Sequence, residues 1–132
     1  MRVVLPIGIS RQSRQVLYHE VVKLQDRLRV LFVCTANQQR SPTAEALYRD
    51  DPRFEVASAG TSEYANRPVS TGLLKWADLV VAMENHHRRL IIQRFPAEAR
   101  SVRFIVLGIP DVFQYMDRAL QKEIRERFEA AM

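Results

Sequence analysis

The sequence predicts an α/β fold of three layers, in which a four-stranded parallel sheet carries helices on both faces. Two observations support this prediction. Four short apolar segments, rich in β-branched and aromatic residues, alternate along the chain with segments of helical character. No internal repeat or low-complexity tract interrupts this alternation. Strands that alternate with helices form a parallel sheet, because each helix carries the chain back to the start of the next strand.

The predicted elements follow in order from residue 29. Strands are expected at residues 29–33, 54–58, 79–83 and 103–107, and helices at residues 42–49, 69–75 and 84–95. Asp117 is expected to cap a final helix, whose buried stripe is Leu120, Ile124 and Phe128. Ligands of such sheets bind beyond the carboxyl ends of the strands. Cys34 and Asp111 follow the first and fourth strands, so we expect both at one edge of the sheet.

Length and composition indicate one globular domain. The chain has 132 residues, of which 47% are hydrophobic and 27% are charged. Its single cysteine excludes an internal disulfide and favours a reducing, cytoplasmic location, and no apolar run is long enough to span a bilayer. The three histidines and the cysteine have no zinc-like spacing, so neither a metal nor a cofactor is expected.

The positive charge is concentrated at the start of the chain. Residues 1–30 carry six Lys or Arg against two Asp or Glu, a net +4 of the total +5. We therefore divide the chain into a basic amphipathic extension, residues 1–27, and a domain, residues 28–132. A helical stripe in this region is formed by Leu17, Val21, Leu24 and Leu28. The extension could face a membrane or a partner, or pack on the domain. Nucleic-acid binding is not expected of the domain.

A polar loop with the features of an anion site follows the first strand, Val30–Val33. Ser41 is expected to cap the next helix, and Pro42 suits its first turn. Amides at a helix N-terminus bind anions, because unpaired N–H groups and the helix dipole both favour negative charge. Cys34 opens the loop and Arg40 closes it. Such a setting favours the thiolate form of cysteine, and the guanidinium fork can hold two oxygens of a tetrahedral oxyanion. The hydroxyl of Ser41 could donate to the sulfur.

Two interpretations of Cys34 compete. A lone cysteine is most often a small buried hydrophobic residue, and a spacing of five residues from an arginine also occurs by chance. Here the pair lies after a strand and before Ser-Pro at a helix start. This context favours a nucleophile that attacks phosphorus while the loop holds the substrate.

Around this loop the chain resembles the low-molecular-weight protein tyrosine phosphatase family. The resemblance covers about residues 29–132 in the family's order. Beyond the loop it is carried by Val56–Thr61, Trp76–Met83 and Ile109–Phe113. It implies a phosphate loop after strand 1 and hydrolysis of phosphomonoesters through a phosphocysteine intermediate. The implied substrate is a phosphorylated protein or a small phosphoester, and the resemblance leaves a homodimer open.

The resemblance also assigns roles to residues. Cys34 is the nucleophile, assisted by Arg40 and Ser41, and Asp111 protonates the leaving group and then activates water. Asp111 could instead serve only the turn after Pro110, and Asp117 is a rival acid whose position suits a helix cap better. The implied substrate-binding residues are the phosphate loop and one aromatic residue of the acid loop: Thr35, Ala36, Asn37, Gln38, Gln39, Arg40 and Phe113.

The sequence departs from the family pattern at several positions. Ala36 replaces the usual glycine, Gln39 replaces a second cysteine, and Val112 replaces the proline after the acidic residue. Only fifteen residues lie between Gly60 and Trp76, too few for the helix and connections usual there. These departures predict an abbreviated member with a shallow, open site that selects poorly among phosphoesters.

Three alternatives to a phosphatase acting on phosphotyrosine or a small phosphoester are considered. An arsenate reductase of this architecture relays a disulfide through further cysteines, so a single cysteine leaves only a route through an external thiol. A non-catalytic phosphate- or phosphotyrosine-binding module is supported by the shortened middle segment and opposed by intact Cys34, Arg40 and Asp111. Family members that act on phosphoarginine carry Thr where Gln38 stands, so that specificity is not assigned.

Four further features of the sequence are explained most simply by structural roles. Asn37 is expected to tolerate left-handed backbone geometry, and the resemblance implies that it holds the shape of the loop. The basic run at residues 86–89 is interpreted as a solvated helix face, and Trp76 as a core residue. Tyr64 and Tyr115 are either ordinary, partly buried aromatics or residues that flank a phenyl ring of the substrate.

Overall fold

The computed structural model describes residues 27–132. Four strands and five helices alternate along this part of the chain. The strands are β1 (Leu28–Cys34), β2 (Phe54–Gly60), β3 (Leu79–Ala82) and β4 (Arg103–Val106). The helices are α1 (Arg40–Tyr48), α2 (Thr71–Trp76), α3 (Asn85–Arg94), the single turn α4 (Pro96–Ala99) and α5 (Arg118–Ala131). The helix expected within residues 1–28 lies almost entirely outside the described residues.

All four strands are parallel and lie in the order β2-β1-β3-β4. The predicted fold class is therefore confirmed. Strand β1 is central, and its residues Val30 to Val33 have no exposed surface. Side chains of a strand alternate between the two faces, so β1 contributes to both halves of the core.

Each face of the sheet has its own hydrophobic layer. On one face Val30 and Phe32 pack with α1 and with the stripe of α5, which confirms the predicted stripe: Leu120, Ile124 and Phe128. On the other face Leu31 and Val33 pack with Leu74 of α2 and Ile91 of α3. The two clusters make the three layers that the alternation of elements predicts.

An aromatic cluster stabilises the first face. Phe128 contacts Phe32, Tyr48 and Phe54 with ring centroids 5.4, 5.0 and 5.6 Å apart. Such pairs contribute about 0.5–1.5 kcal/mol each beyond the area they bury. Burial, with the adjacent carboxylate of Glu129, raises the pKa of Tyr48 to about 12, so its hydroxyl stays protonated and donates to Glu129.

The functional loops start at the carboxyl ends of the strands, at one edge of the sheet. The strand order changes direction at β1, because β2 and β3 lie on opposite sides of it. Cys34 ends β1 directly opposite Gly60, which ends β2. A Cβ atom at Gly60 would overlap the carbonyl oxygen of Thr35 and approach Ala65 Cβ to 2.6 Å. Glycine is therefore required there, because the loop after β1 packs directly on this backbone.

Some local predictions are corrected by the structure. Helix α1 begins at Arg40, and Gln39 is its N-cap without a side-chain hydrogen bond, so the prediction that Ser41 is the cap is wrong. The hydroxyl of Ser41 is occupied by tertiary contacts instead. Trp76 is only partly buried, at the border of the second hydrophobic cluster. Asp117 is confirmed as the N-cap of α5, since its Oδ1 accepts from the Ala119 N–H at 2.8 Å. Within residues 27–132, no helix has the length and apolarity needed to cross a membrane.

Candidate active site

The loop between β1 and α1 places a cysteine at the start of a helix. Cys34 is 3% exposed, and its Sγ lies 2.9 Å from the Ser41 hydroxyl oxygen. Ser41 lies in the first turn of α1, which therefore brings its hydroxyl under the sulfur. The predicted contact between Ser41 and the sulfur is present. A hydroxyl that donates to sulfur stabilises the thiolate as attacking group and as leaving group.

Asn37 holds the loop in shape. Its φ of 55° lies in the left-handed region, as predicted, and its Nδ2 donates to the hydroxyl oxygens of Ser41 and Ser58, each at 2.9 Å. Ser58 in turn donates to Glu45 at 3.0 Å. Because Ser41 accepts from Asn37, its own proton is directed to Cys34 Sγ or to the Ala59 carbonyl oxygen at 3.2 Å.

The outer side of the loop is held by the segment after β2. Ser62 N–H donates to the Thr35 carbonyl at 3.0 Å, and Asn66 N–H donates to the Ala36 carbonyl at 3.1 Å. The side chain of Asn66 donates to the Asn37 carbonyl at 3.0 Å. In a trans peptide the N–H points away from the C=O, so these contacts leave the amides of residues 36–38 on the inner side of the loop. Inward amides at a helix N-terminus are suited to a tetrahedral oxyanion.

Arg40 is the largest of the fully buried side chains of the domain, at 2% exposed. Its Nη1 donates to Glu84 Oε1 and to the Ile109 carbonyl at 2.8 Å. Its Nε lies 3.7 Å from Asp111 Oδ1. Arg40 is thus fixed between β3, which precedes Glu84, and the segment after β4. A fixed guanidinium binds an oxyanion without a further loss of side-chain entropy.

Glu84 is the counter-ion of Arg40. Burial opposes its ionisation, but the hydrogen bond and positive charge of Arg40 outweigh burial and hold the pKa of Glu84 below its usual range. The ion pair therefore persists at neutral pH. Sequence reasoning missed Glu84, because nothing in the local pattern connects it to an arginine 44 residues away.

His87 contradicts the interpretation of residues 86–89 as a solvated helix face. It is fully buried, its Nε2 lies 2.8 Å from Thr35 Oγ1, and its Nδ1 accepts from the Glu84 N–H at 3.0 Å. Burial, assisted by the charges of His86 and Arg40, lowers the pKa of His87 to about 4. The imidazole is therefore neutral at physiological pH. The only signal in the sequence was its position three residues after the helix cap, where a side chain can reach back to the cap.

Glu84, His86 and His87 form one cluster whose ligand atoms lie within 4.8 Å of one another. Such residues could hold a metal ion in principle. Here both ring nitrogens of His87 are engaged in hydrogen bonds, and Glu84 is paired with Arg40. The ligand atoms of Glu84 and His87 are therefore already occupied by hydrogen bonds and an ion pair within the protein.

The candidate acid is exposed beside Arg40, and the loop aromatics differ in burial. The side chain of Asp111 is 62% exposed beside Arg40, whereas Asp117 caps α5. Phe113 packs partly against the first hydrophobic cluster, while Tyr64 and Tyr115 are 87% and 54% exposed. The remaining loop side chains, Gln38 and Gln39, are exposed and half-buried. The residues predicted to form the site lie in the loop, at the start of α1 or in the segment after β4.

Comparison with known proteins agrees with this geometry. The family model for low molecular weight phosphotyrosine protein phosphatase matches residues 29–70. The protein-arginine-phosphatase of Geobacillus stearothermophilus is 32% identical in an alignment that covers 58% of this chain and 67% of that protein. The chain belongs to the low molecular weight phosphotyrosine protein phosphatase family.

Individual relatives show the range of the family. The protein-arginine-phosphatase of Bacillus subtilis is 30% identical in an alignment that covers 50% of this chain and 62% of that protein. The solved arginine phosphatase YwlE of Geobacillus stearothermophilus superimposes with a TM-score of 0.59 at 26% identity, covering 76% of this chain and 85% of that one. The tyrosine phosphatase Wzb of Escherichia coli K30, solved with phosphate, shares the fold with a TM-score of 0.63 at 21% identity, over 78% and 94% of the two chains. This chain thus spans about two thirds of the curated relatives.

Proposed function

We propose that the domain is a cysteine-dependent phosphatase that transfers a phosphoryl group from a phosphorylated side chain to Cys34 and then to water. The observation that carries the proposal is the buried Cys34 Sγ, 2.9 Å from the Ser41 hydroxyl and at the foot of a loop closed by the fixed Arg40. A nucleophile, a hydroxyl partner and a guanidinium fork are the groups that a phosphoryl transfer through a covalent intermediate needs.

The first step forms the phosphocysteine. Cys34 Sγ attacks phosphorus while the bond to the leaving oxygen breaks, and Asp111 gives its proton to that oxygen. Arg40 and the inward amides of the loop take up the charge of the equatorial oxygens. Asp111 is suited to this role because it is accessible to the leaving group and lies 3.7 Å from Arg40 Nε.

The second step returns the enzyme to its starting state. The Asp111 carboxylate takes a proton from water, the water oxygen bonds to phosphorus, and the S–P bond breaks. The Cys34 thiolate leaves with the Ser41 hydroxyl as donor. Inorganic phosphate is released, and Asp111 is again protonated for the next cycle. No electron transfer is required, which suits a chain with one cysteine.

The substrate has two candidates. The family resemblance supports phosphotyrosine, and the exposed Tyr64 and Tyr115 are available to flank a phenyl ring. Similarity to the two protein-arginine-phosphatases supports phosphoarginine, in which the bond that breaks is P–N. Gln38 stands where the phosphoarginine members carry threonine, and its amide can both donate and accept.

The test is phosphate release by the full chain from a phosphotyrosyl peptide and from the matched phosphoarginyl peptide. We expect turnover of at least one peptide and none with Cys34→Ser, whose hydroxyl does not ionise as a thiol does. Equal phosphate release by the wild type and by Cys34→Ser would contradict the proposal. Arsenate reduction with an external thiol, in the absence of phosphate release, would assign the arsenate route instead, and phosphate binding without either reaction would assign a binding module.

A further inference from the structure

The first turn of α3 connects the two ends of the phosphate loop. Glu84 pairs with Arg40 at the end of the loop, and His87 bonds to Thr35 at its start, with 2.8 Å between Nε2 and Oγ1. Glu84 and His87 are themselves joined by a capping box, in which the Glu84 side chain accepts from the His87 N–H and His87 Nδ1 accepts from the Glu84 N–H. One rigid turn therefore fixes both Arg40 and Thr35.

The capping box determines which nitrogen of His87 carries the proton. Nδ1 accepts a backbone N–H, so it must be unprotonated. In a neutral imidazole the proton is then on Nε2. The Nε2–H group therefore donates to Thr35 Oγ1, which acts as the acceptor in this bond.

The proton of the Thr35 hydroxyl is left free for a ligand. A threonine hydroxyl has one proton, and accepting from His87 turns that proton away from the imidazole. In the described part of the chain, the bond to His87 is the one hydrogen bond that this hydroxyl makes. Thr35 is also exposed and follows Cys34 directly. We infer that the Thr35 hydroxyl donates to an oxygen of the tetrahedral oxyanion in the loop, and that His87 is the positioning residue that orients it.

The inference rests on the proposed function only in that the loop binds a phosphoryl group. It is tested by the affinity for inorganic phosphate, measured by calorimetry without turnover. Thr35→Val keeps the shape of threonine and removes the hydroxyl. His87→Asn keeps a polar group near the position of Nδ1, which can close the capping box, and removes the Nε2 donor. The two changes together complete a double-mutant cycle.

A hydrogen bond to a charged ligand predicts that Thr35→Val raises the phosphate Kd about tenfold. We expect about a threefold rise for His87→Asn, because the Thr35 hydroxyl then rotates among several orientations. The double variant should bind phosphate as Thr35→Val does. Thr35→Ser, which retains the hydroxyl, should bind nearly as well as the wild type. His86→Asn, beside His87 but without a bond to Thr35, is the matched control and should leave the Kd unchanged.

Two results would overturn the inference. One is an unchanged Kd in Thr35→Val. The other is a further loss of affinity when His87→Asn is added to Thr35→Val, which would mean that His87 acts only through the helix or Glu84. If His87→Asn does not fold, the nitrogen NMR spectrum of wild-type His87 decides, since a proton on Nδ1 would contradict the tautomer. The wild-type protein could bind phosphate with the predicted pattern across the double-mutant cycle and yet hydrolyse neither phosphopeptide. That result would contradict the proposed phosphatase function and would still support the inference about Thr35 and His87.

Discussion

Acidification should destabilise the domain through His87 at a pH where its carboxylates are still ionised. His87 has an ordinary pKa of 6.5, and burial with the neighbouring charges of His86 and Arg40 lowers its pKa to about 4 in the folded protein. The unfolded chain therefore binds the proton more tightly than the folded chain does. The stabilisation is fully present above the unfolded pKa and is lost as the pH falls towards the folded pKa.

The size of the effect follows from these two pKa values. Between about pH 7 and about pH 5, proton linkage at His87 predicts a loss of about 2 kcal/mol in the free energy of unfolding. The carboxylates of Glu84, Asp51 and Glu129 have pKa values below their usual range. Their contributions are therefore lost in a more acidic window and do not account for a change above about pH 5.

The assay is urea unfolding at both pH values for the wild type and for His87→Asn, which has no titratable group at this position. His86→Asn is the matched control, because it removes the adjacent imidazole. We expect the wild type to lose about 2 kcal/mol more than the His87 variant on acidification. The His86 variant should keep most of this loss but not all of it, because the charge of His86 contributes to the lowered pKa of His87. The same pH dependence in all three proteins would refute the assignment of His87 as a buried neutral base.

Three further predictions concern the site and the core. Arg40→Lys keeps the charge but loses the fork, so kcat/KM should fall about 10- to 100-fold in steady-state assays, and an unchanged value would make Arg40 structural. Asp111→Asn should slow alkyl phosphates about 100-fold or more and phenols of low pKa far less, whereas equal losses across leaving groups would exclude Asp111 as the acid. Asp117→Ala is its control and should cost about 1 kcal/mol of stability without leaving-group dependence. Phe128→Ala should cost about 3–5 kcal/mol in urea unfolding, because it removes the ring shared by the aromatic cluster, and a cost below about 1 kcal/mol would contradict that packing.

The fold was predictable because its signals are local. Residues Val30 to Val33 of β1 are apolar and lie at the centre of the sheet, so this segment was identified by composition alone. The stripe of α5 repeats at helical spacing, and Asp117 has the residue type and position of an N-cap. Cys34, Arg40 and Ser41 were found because their spacing coincides with a strand-to-helix transition.

The supporting residues of the site were not predictable from such signals. Glu84 and His87 contact loop residues 44 and 52 positions away, and each looks locally like an ordinary polar residue at a helix start. Ser58 and Asn66 bond to Asn37 from 21 and 29 residues away. These partnerships depend on the order of the strands, which brings β2 and β3 to either side of β1.

Ser41 shows how a tertiary contact overrides a local rule. Serine before a helix usually caps it, which is why the cap was predicted there. In the structure Ser41 accepts from Asn37 and lies 2.9 Å from Cys34 Sγ. Its hydroxyl is therefore used by the loop, and the helix begins at Arg40, two residues before the predicted start at residue 42.

The central claim is that Cys34 carries the phosphoryl group during turnover, and the most direct test is to trap it. The Asp111→Asn protein is mixed with an aryl phosphate, quenched in acid after a few milliseconds and digested for mass spectrometry. Because loss of the carboxylate slows attack by water, we expect the peptide that contains Cys34 to gain the mass of one phosphoryl group. The same peptide from the Cys34→Ala protein, which has no nucleophilic atom in this side chain, should gain no phosphoryl mass. Phosphate released with no phosphorylated Cys34 peptide at any quench time would contradict the account.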